Sequence, residues 1–337
     1  MIQEALKKVI AGDDLTRDQA YTVMEEIMEG KATPAQIGAF LVAEKLKGET
    51  YQEVAGFAHA MLDKATVIET QYENAIDMCG TGGDGAGSFN ISTIASFVVA
   101  AGGVPVAKHG NRSVSSQCGS ADVLEKLGVK IDLSAEKISR CLDEIGIGFL
   151  FAPGLHRAMK HASAPRRELG VRTVFNILGP IVNPAKVKRQ VLGVFDEKLT
   201  RLMAKVLREL GSEHVLIVHS EDGLDEVSIY APTQAVELKD GEITERRLLP
   251  EDFGLSAPSQ NGISGGTPGD NARIALDVLS GKPGAARDIV VANSACGLFV
   301  GGAAKDFVEA ATLARQCLDS GAAMEKMNSL QTLTNRI

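Results

Sequence analysis

Along the first 65 positions apolar residues recur at helical spacing, and each run has start and stop signals. Ile2, Ala5, Leu6, Val9 and Ile10 form one stripe that ends at Gly12. Thr16-x-x-Gln19 reads as a capping box, followed by the stripe Ala20, Val23, Met24, Ile27 and Met28 and a stop at Gly30. Thr33-Pro34-x-Gln36 starts a third helix with proline at its first position. Thr50-x-x-Glu53 starts a fourth, carrying Val54, Phe57, Ala58, Met61 and Leu62. Spacings of i, i+3, i+4 and i+7 predict helices with one buried face. The unit carries no chemistry of its own and suits packing, dimerisation or one wall of a cleft.

From about residue 75 the pattern changes. Short apolar runs at Ala75–Cys79, Val104–Ala107, Ile147–Ala152, Gln190–Phe195 and His214–His219 read as strands. Helical stretches at Ile94–Ala101, Ser134–Ile145 and Glu197–Leu210 alternate with them. Such alternation predicts a mainly parallel sheet. Glu226–Tyr230, Ala235–Leu238 and Ile243–Leu248, the last two joined by Asp240-Gly241, predict an antiparallel addition. Gly262–Asp270 reads as a glycine-rich loop, and the tail after Asn271 is helical. The pattern alone predicts a compact helical unit over the first 65 residues followed by an α/β region from about residue 75.

Composition narrows the class. The chain has 337 residues, is 45% hydrophobic and 23% charged, and carries a net charge of −8, so no global attraction to nucleic acid is expected. Cys79, Cys118, Cys141, Cys296 and Cys317 are scattered without C-x-x-C spacing, which argues against a disulfide frame or zinc site. For Cys79 and Cys118 a packing role is favoured over a nucleophilic one. No signal peptide is visible and no apolar run approaches the ~18 residues of a membrane span. A cytoplasmic protein is expected.

The stretch Asp77–Thr93, DMCGTGGDGAGSFNIST, holds the clearest chemistry. Gly80, Gly82, Gly83 and Gly85 follow a strand and precede Ser88, Asn90, Ser92 and Thr93 at a helix start. Glycines admit positive φ and close approach of an anion. Successive N–H groups and the helix N-terminus then supply donors. Gly80-x-Gly82-x-x-Gly85 imitates a dinucleotide fingerprint, but no acidic residue occurs between Gly85 and Ala121 to hold a ribose. A P-loop is excluded because no Gly-Lys-Ser/Thr follows. A bound polyanion is the better reading.

Three further stretches carry polar chemistry. Lys108–Gly128 places Lys108, Asn111, Arg112, Ser113, Ser115 and Ser116 within one short loop, with Ser120 at a helix start. Such a loop can wrap a polyanion. Leu155–Arg172 is cationic: Lys160 and His161 suit a solvated helix face. Pro165 is expected to end a helix and present Arg166, whose guanidinium fork suits a planar carboxylate. His219–Ser228 collects Glu221, Asp222, Asp225 and Glu226. These acids must be solvated or bind a cation, and beside phosphate sites oxygen ligands point to Mg2+. Both readings stay open on the residues alone. Asp225 and Glu226 must lie on a turn or serve separate ions.

Together these stretches resemble the anthranilate phosphoribosyltransferase family of tryptophan biosynthesis. The likeness rests on Asp77–Thr93, Lys108–Leu127, Leu155–Lys160 (LHRAMK), Arg172–Ala185 (RTVFNILGPIVNPA) and Gly223–Ser228 (GLDEVS). The helical unit and Asn271–Gly281 (NARIALDVLSG) also look like the family, so the resemblance covers nearly the whole chain. It implies an α/β fold of the nucleoside phosphorylase/phosphoribosyltransferase type, with a small N-terminal helical domain and a mainly parallel central sheet, usually as a homodimer. A chain that starts with the helical unit is expected to lack a fused glutaminase domain. The implied reaction is the Mg2+-dependent transfer of phosphoribosyl from 5-phospho-α-D-ribose 1-diphosphate to the amine of anthranilate, with pyrophosphate leaving.

By the same likeness Gly80, Gly82, Gly83 and Asp84 hold the donor's diphosphate and ribose, and Ser88, Asn90, Ser92 and Thr93 its phosphates. Lys108, Gly110, Asn111, Arg112, Ser113, Ser115 and Ser116 fold over the donor, and Ser120 contacts it. Gly80, Asn111 and Arg166 meet anthranilate, with Arg166 on the carboxylate. Ser92, Asp225 and Glu226 carry metal. No general base is assigned: Lys108 and His109 are the nearest catalytic candidates, and the backbone of His109 is expected to matter more than its ring. A pyrimidine nucleoside phosphorylase and a non-catalytic nucleic-acid-binding relative are the rival readings.

Overall fold

The computed structural model describes residues 1–113, 117–256 and 262–337. Helices α1 (Ile2–Ile10), α2 (Arg17–Met28), α3 (Pro34–Lys47) and α4 (Tyr51–Asp63) form the amino-terminal unit. The expected capping boxes are all formed: Thr16, Thr33 and Thr50 each accept from the backbone N–H three residues on, and Gln19, Gln36 and Glu53 reach back. Glu53 goes further. It is fully buried and accepts from Leu15 N, Thr50 N, Thr50 Oγ1 and Lys47 Nζ, each at 2.8 Å, tying three segments of the unit together. Glu44 beside it is buried, and burial, reinforced by Glu53, pushes its carboxyl up to about 8.

The remainder is α/β. In chain order it comprises β1 (Ile76–Gly80), α5 (Ile91–Ala101), β2 (Val106–Gly110), α6 (Ser120–Lys126), α7 (Ala135–Ile145), β3 (Ile147–Phe151), α8 (Ala152–Leu155), α9 (Lys160–Leu169), α10 (Phe175–Leu178), β4 (Arg189–Gly193), α11 (Lys198–Glu209), β5 (His214–Ser220), β6 (Thr233–Lys239) and β7 (Glu242–Leu248). Then follow α12 (Pro268–Leu279), α13 (Ala285–Val300), α14 (Phe307–Asp319) and α15 (Ala322–Arg336). The seven strands form one sheet in the order β3-β2-β1-β4-β5-β6-β7. The first five are parallel, while β6 and β7 add antiparallel. The mainly parallel sheet read from the sequence is therefore present.

Both sheet faces are buried, as parallel sheets require. Val191, Leu216 and Val218 face a core shared with α5 and the carboxy-terminal helices. Leu192, Val194, Val215 and Ile217 alternate to the other face. There they join the core of α1–α4, completed by Ala162 of α9, residues 174–182 and α11. The helical unit is thus packed on the second face, with α9 returning to lie on α2 and α3.

Four local expectations need correction. Glu226–Tyr230 is not a strand; the backbone from Glu221 to Pro232 is irregular. The alternation there arises because Val227 and Ile229 fill the core, while Val227 N and O bond the buried Asn293 amide at 2.9 Å instead of a neighbouring strand. The strand expected at Val104–Ala107 runs over Val106–Gly110, so Lys108 and His109 are sheet residues. Pro165 does not end a helix: it lies inside α9, which continues to a left-handed cap at Gly170. The loop after Gly262 ends at Thr267, where a capping box with Asp270 starts α12. Among the described residues no helix is long and apolar enough to cross a membrane.

Candidate active site

In the strand order, β1 has β2 on one side and β4 on the other, so the connections diverge to opposite sides there. A crevice opens at the carboxyl ends of strands where this happens, and ligands of open α/β sheets bind in it. The glycine turn leaves β1 at this point. Thr81 N donates to Gly193 O at 2.9 Å and Thr81 Oγ1 accepts from Phe195 N at 3.0 Å, fixing the turn over β4. Gly82, Gly83, Gly85 and Gly87 then take φ of 65, 76, 78 and 65°, a left-handed course that side chains resist.

The irregular segment after β5 descends onto this turn. Gly82 N donates to Asp225 Oδ2 at 2.8 Å, and Asp225 N approaches Asp84 Oδ2 at 3.5 Å. A Cβ at Gly80 would stand 2.5 Å from Asp225 Oδ2, and one at Gly193 only 1.6 Å from Asp225 O. Only glycine at both strand ends lets Asp225 sit there. Glu226 turns the other way and accepts from Ser92 N at 3.1 Å in the first turn of α5. Lys108 reaches the same spot from β2: its Nζ donates to Met78 O and lies 3.3 Å from Ser92 Oγ.

Asp84, Asp225, Glu226, Ser92 and Lys108 thus converge. Burial, followed by the charge of Asp84, holds the Asp225 carboxyl well above the usual range; burial and then Asp225 do the same to Glu226. Glu221 and Asp222 stand apart, on Arg247 at 2.8 Å and on Ser228 Oγ at 2.6 Å. Among the described residues no three Asp, Glu, His or Cys side chains cage an ion by themselves. Two or three carboxylate oxygens facing a polar cleft fit a hard cation that keeps waters and shares ligand oxygens.

The remaining residues are distributed unevenly. Ser88 makes an isolated bridge with Ser264. Asn90 donates from Nδ2 to Cys118 O at 3.1 Å. Thr93 is buried, and among the described residues its Oγ1 has no hydrogen-bond partner. Its hydroxyl therefore faces the core. Arg112 is held on α6 by Glu125 at 2.6 Å and Asp122 at 2.9 Å. Ser113 N donates to Asp122 Oδ2 at 3.2 Å. Ser120 Oγ donates to Asn111 O at 3.2 Å, under Gly110, where a Cβ would strike that hydroxyl. Ser115 and Ser116 lie outside the described residues.

His109 is buried in β2. Its Nδ1 lies 3.1 Å from Gly179 O, and its ring centroid is 5.2 Å from that of His156. Burial pushes His109 down to about 3 and His156 to about 4, so both rings are neutral near pH 7 and poor proton acceptors. The ring of His109 is thereby unsuited to general-base work. Arg166 stacks over Phe175 with its guanidinium carbon 4.8 Å from the ring centroid. It is half-buried, makes no ion pair among the described residues, and burial disfavours its charged form. Arg172 had no role from sequence, yet it donates to Gly83 O and stacks on Phe195 at 4.2 Å, beside the glycine turn. Its only signal was its place in a cationic stretch. A second groove, lined by Lys239, Arg246 and Phe299, opens near the start of β5, away from the glycine turn.

A glycine turn, a helix N-terminus and a carboxylate cluster at a sheet crevice suit a polyanion held with a hard cation, the equipment of a transferase that handles phosphorylated substrates. Residues 3–65 match the helical bundle domain of the glycosyl transferase family, and residues 72–324 match its a/b domain. The anthranilate phosphoribosyltransferase of Pelotomaculum thermopropionicum is 51% identical over 337 residues, covering 100% of this chain and 98% of that one. The crystal structure of the Thermus thermophilus enzyme of the same name superposes with a TM-score of 0.93 at 40% identity, covering 98% of this chain and 99% of that one. That of Saccharomyces cerevisiae, in complex with PRPP and Mg, gives 0.91 at 26% identity, over 100% and 98% of the two chains. The chain belongs to the anthranilate phosphoribosyltransferase family. These matches favour neither the phosphorylase nor the nucleic-acid-binding alternative.

The crowded acids generate a prediction. A carboxyl raised above its unfolded value costs stability as pH rises through the window between the two values. Asp225→Asn keeps an acceptor for Gly82 N and removes the charge. In the absence of ligand it should stabilise the protein by about 1 kcal/mol at pH 8, with the gain shrinking as pH falls toward about 4. Thermal melts at pH 5 and pH 8 check this; an unchanged or lower midpoint at pH 8 would contradict it.

Proposed function

We propose that this chain joins anthranilate to 5-phospho-α-D-ribose 1-diphosphate, forming the C1–N bond of N-(5-phosphoribosyl)anthranilate as the C1–O bond to pyrophosphate breaks, in tryptophan biosynthesis. The observation that carries the reading is the descent of Asp225 and Glu226 onto a glycine turn and helix N-terminus, in a chain of this family. In this reading Gly80, Gly82, Gly83 and Asp84 hold the diphosphate and ribose. Ser88, Asn90 and Ser92 hold phosphate through side chains or N–H groups, and Thr93 through its backbone. Lys108, Gly110, Asn111, Ser113 and Ser120 form the wall over the donor. Arg112 would join them only after leaving Glu125 and Asp122.

Asp225, Glu226 and Ser92 would hold Mg2+, which when bound neutralises the diphosphate and aids its departure. Before that, Lys108 lies nearby as a counter-charge to Glu226. The protein's own part is alignment. Turn N–H groups and Lys108 face the leaving group, where negative charge develops. Arg166 and Asn111 would bring the aromatic amine to C1, a proximity effect. The amine attacks neutral and sheds its proton after the bond forms, so no strong base is required, consistent with a neutral, weakly basic His109.

We also infer two domains, 1–70 with part of 165–190 and the α/β remainder over 71–337, so that Arg166 belongs to the helical side and the donor site to the sheet. The cytoplasm is the proposed location, supported by five free thiols; cell fractionation checks it. A homodimer is proposed through α1 and α3, where Ile10, Val42 and Leu46 are 70, 36 and 83% exposed. Leu46→Asp should sediment as a monomer at micromolar concentration while the unaltered chain sediments as a dimer; a monomer in both cases refutes the interface.

The activity is tested by mixing protein, anthranilate, donor and Mg2+ and following anthranilate fluorescence, with EDTA as control. A fall that needs donor and metal is expected; no fall from folded protein overturns the reading. Within it, Arg166→Ala should raise KM for anthranilate roughly thirty- to hundredfold and leave KM for the donor within a few-fold, since a charge-assisted carboxylate contact is lost. The reverse selectivity would remove Arg166 from the acceptor site.

A further inference from the structure

Asn271 sits in the first turn of α12 and is 2% exposed, far in sequence from the glycine turn. Its Oδ1 accepts from Gly266 N at 2.9 Å. A backbone N–H cannot accept, so this bond fixes which end of the Asn271 amide is oxygen. Nδ2 must then face Asn90, and it donates to Asn90 Oδ1 at 3.0 Å. That in turn leaves Asn90 only its own Nδ2 to present on the other side, where one N–H reaches Cys118 O at 3.1 Å. Asn271 also donates toward the Cys118 thiol. The orientation of the Asn90 amide is therefore set by a peptide group 176 residues further on, relayed through Asn271.

The backbone around this relay is locked to match. Phe89 N donates to Ile263 O at 3.1 Å, and Gly265 N donates to Gly87 O at 2.8 Å. A Cβ at Gly265 would lie 2.7 Å from Ser88 O, so the two segments lie against each other. Asn90 is the N-cap residue of α5, yet its side chain makes no capping bond. Its amide is instead committed between Asn271 and Cys118, leaving its second Nδ2 hydrogen for a ligand at the turn. Held the other way, the same amide would present oxygen to Cys118 O and to any phosphate, and both contacts would be repulsive.

We propose that Asn271 is a positioning residue for the phosphoribosyl donor: by fixing the polarity of the Asn90 amide it turns an N–H toward the donor's phosphate and holds the Cys118–Ser120 segment against the start of α5. This rests on the functional reading above. It assigns Asn271 a role through Asn90, with no contact to the substrate.

The test is a double-mutant cycle on the full chain, with KM for each substrate, kcat and thermal melting. Asn271→Ala should raise KM for the donor roughly ten- to hundredfold, leaving KM for anthranilate within about twofold. Asn271→Asp keeps an acceptor for Gly266 N but offers no N–H to Asn90; it should show the same donor-selective loss, and it stands in if the alanine variant fails to fold. Asn90→Ala should weaken the donor, and adding Asn271→Ala to it should cost little more, because Asn271 acts through Asn90. Additive losses, or a loss shared equally by both substrates, overturn the inference while leaving the transferase reading intact. An inactive but folded unaltered enzyme overturns that reading, and this inference with it.

Discussion

The approach of Asp225 to the ends of β1 and β4 is the constraint from which the rest follows. A carboxylate-bearing loop can reach a sheet edge-on only where the strands end without side chains. Gly80 and Gly193 meet that condition at the two neighbouring strands between which the connections diverge. The loop is pressed down from behind by Asn293, which bonds both backbone groups of Val227 from α13. Asp225 and Glu226 consequently point in opposite directions, one to the glycine turn and one to the first turn of α5. Adjacent residues on a regular strand would do so too, but across the sheet and not into one crevice.

This placement has an electrostatic consequence. Asp225 and Glu226 are crowded by burial and by neighbouring carboxylates, and Lys108 supplies a positive charge near Glu226. Asp225 and Glu226 are therefore biased toward protonation, and whatever neutralises them gains binding energy that the fold has stored. Functional sites commonly hold such destabilising arrangements. Arg166 repeats the logic with opposite sign: a half-buried guanidinium stacked on Phe175 has no carboxylate partner among the described residues. Among the described residues one site gathers more carboxylates than nearby cations and the other holds a guanidinium without an anion, a pairing that suits a metal-bound diphosphate meeting a carboxylate-bearing acceptor.

What the sequence made legible was whatever is encoded locally. The capping boxes at Thr16, Thr33 and Thr50 need only four residues each, and all are formed. The glycine turn is legible for the same reason. Misreadings occurred where distant contacts override a local pattern. Val227 and Ile229 alternate like a strand because they bury in a core, but their backbone partner is Asn293 rather than a strand. Pro165 lacks an N–H, yet α9 runs through it, with Ala162 buried in the core of the helical unit and the proline itself buried. Thr93 lies in the first turn of α5 with its side chain buried, so only its backbone is left to serve the phosphate-binding pattern in which it stands. The contacts that give Arg172 and Asn271 their places at the site could not be read locally, since Gly83 and Asn90 lie 89 and 181 residues away.

A reaction between a donor held on the sheet and an acceptor held from the helical side needs one fixed point shared by both. Asn183 is such a point. Its Nδ2 donates to Asp77 Oδ2 and to Ala107 O, each at 2.8 Å, so the segment returning from α10 is bonded to β1 and β2 at once. Asp77 is fully buried there, with burial pushing its carboxyl up to about 6, and its other oxygen accepts from His109 N at 3.1 Å. His109 completes the link through Nδ1 to Gly179 O. The returning segment, with Phe175 and so Arg166 upon it, is therefore located by the two strands whose ends carry Gly80 and Lys108. In the proposed reading the two halves of the site are tied together by hydrogen bonds buried beneath it.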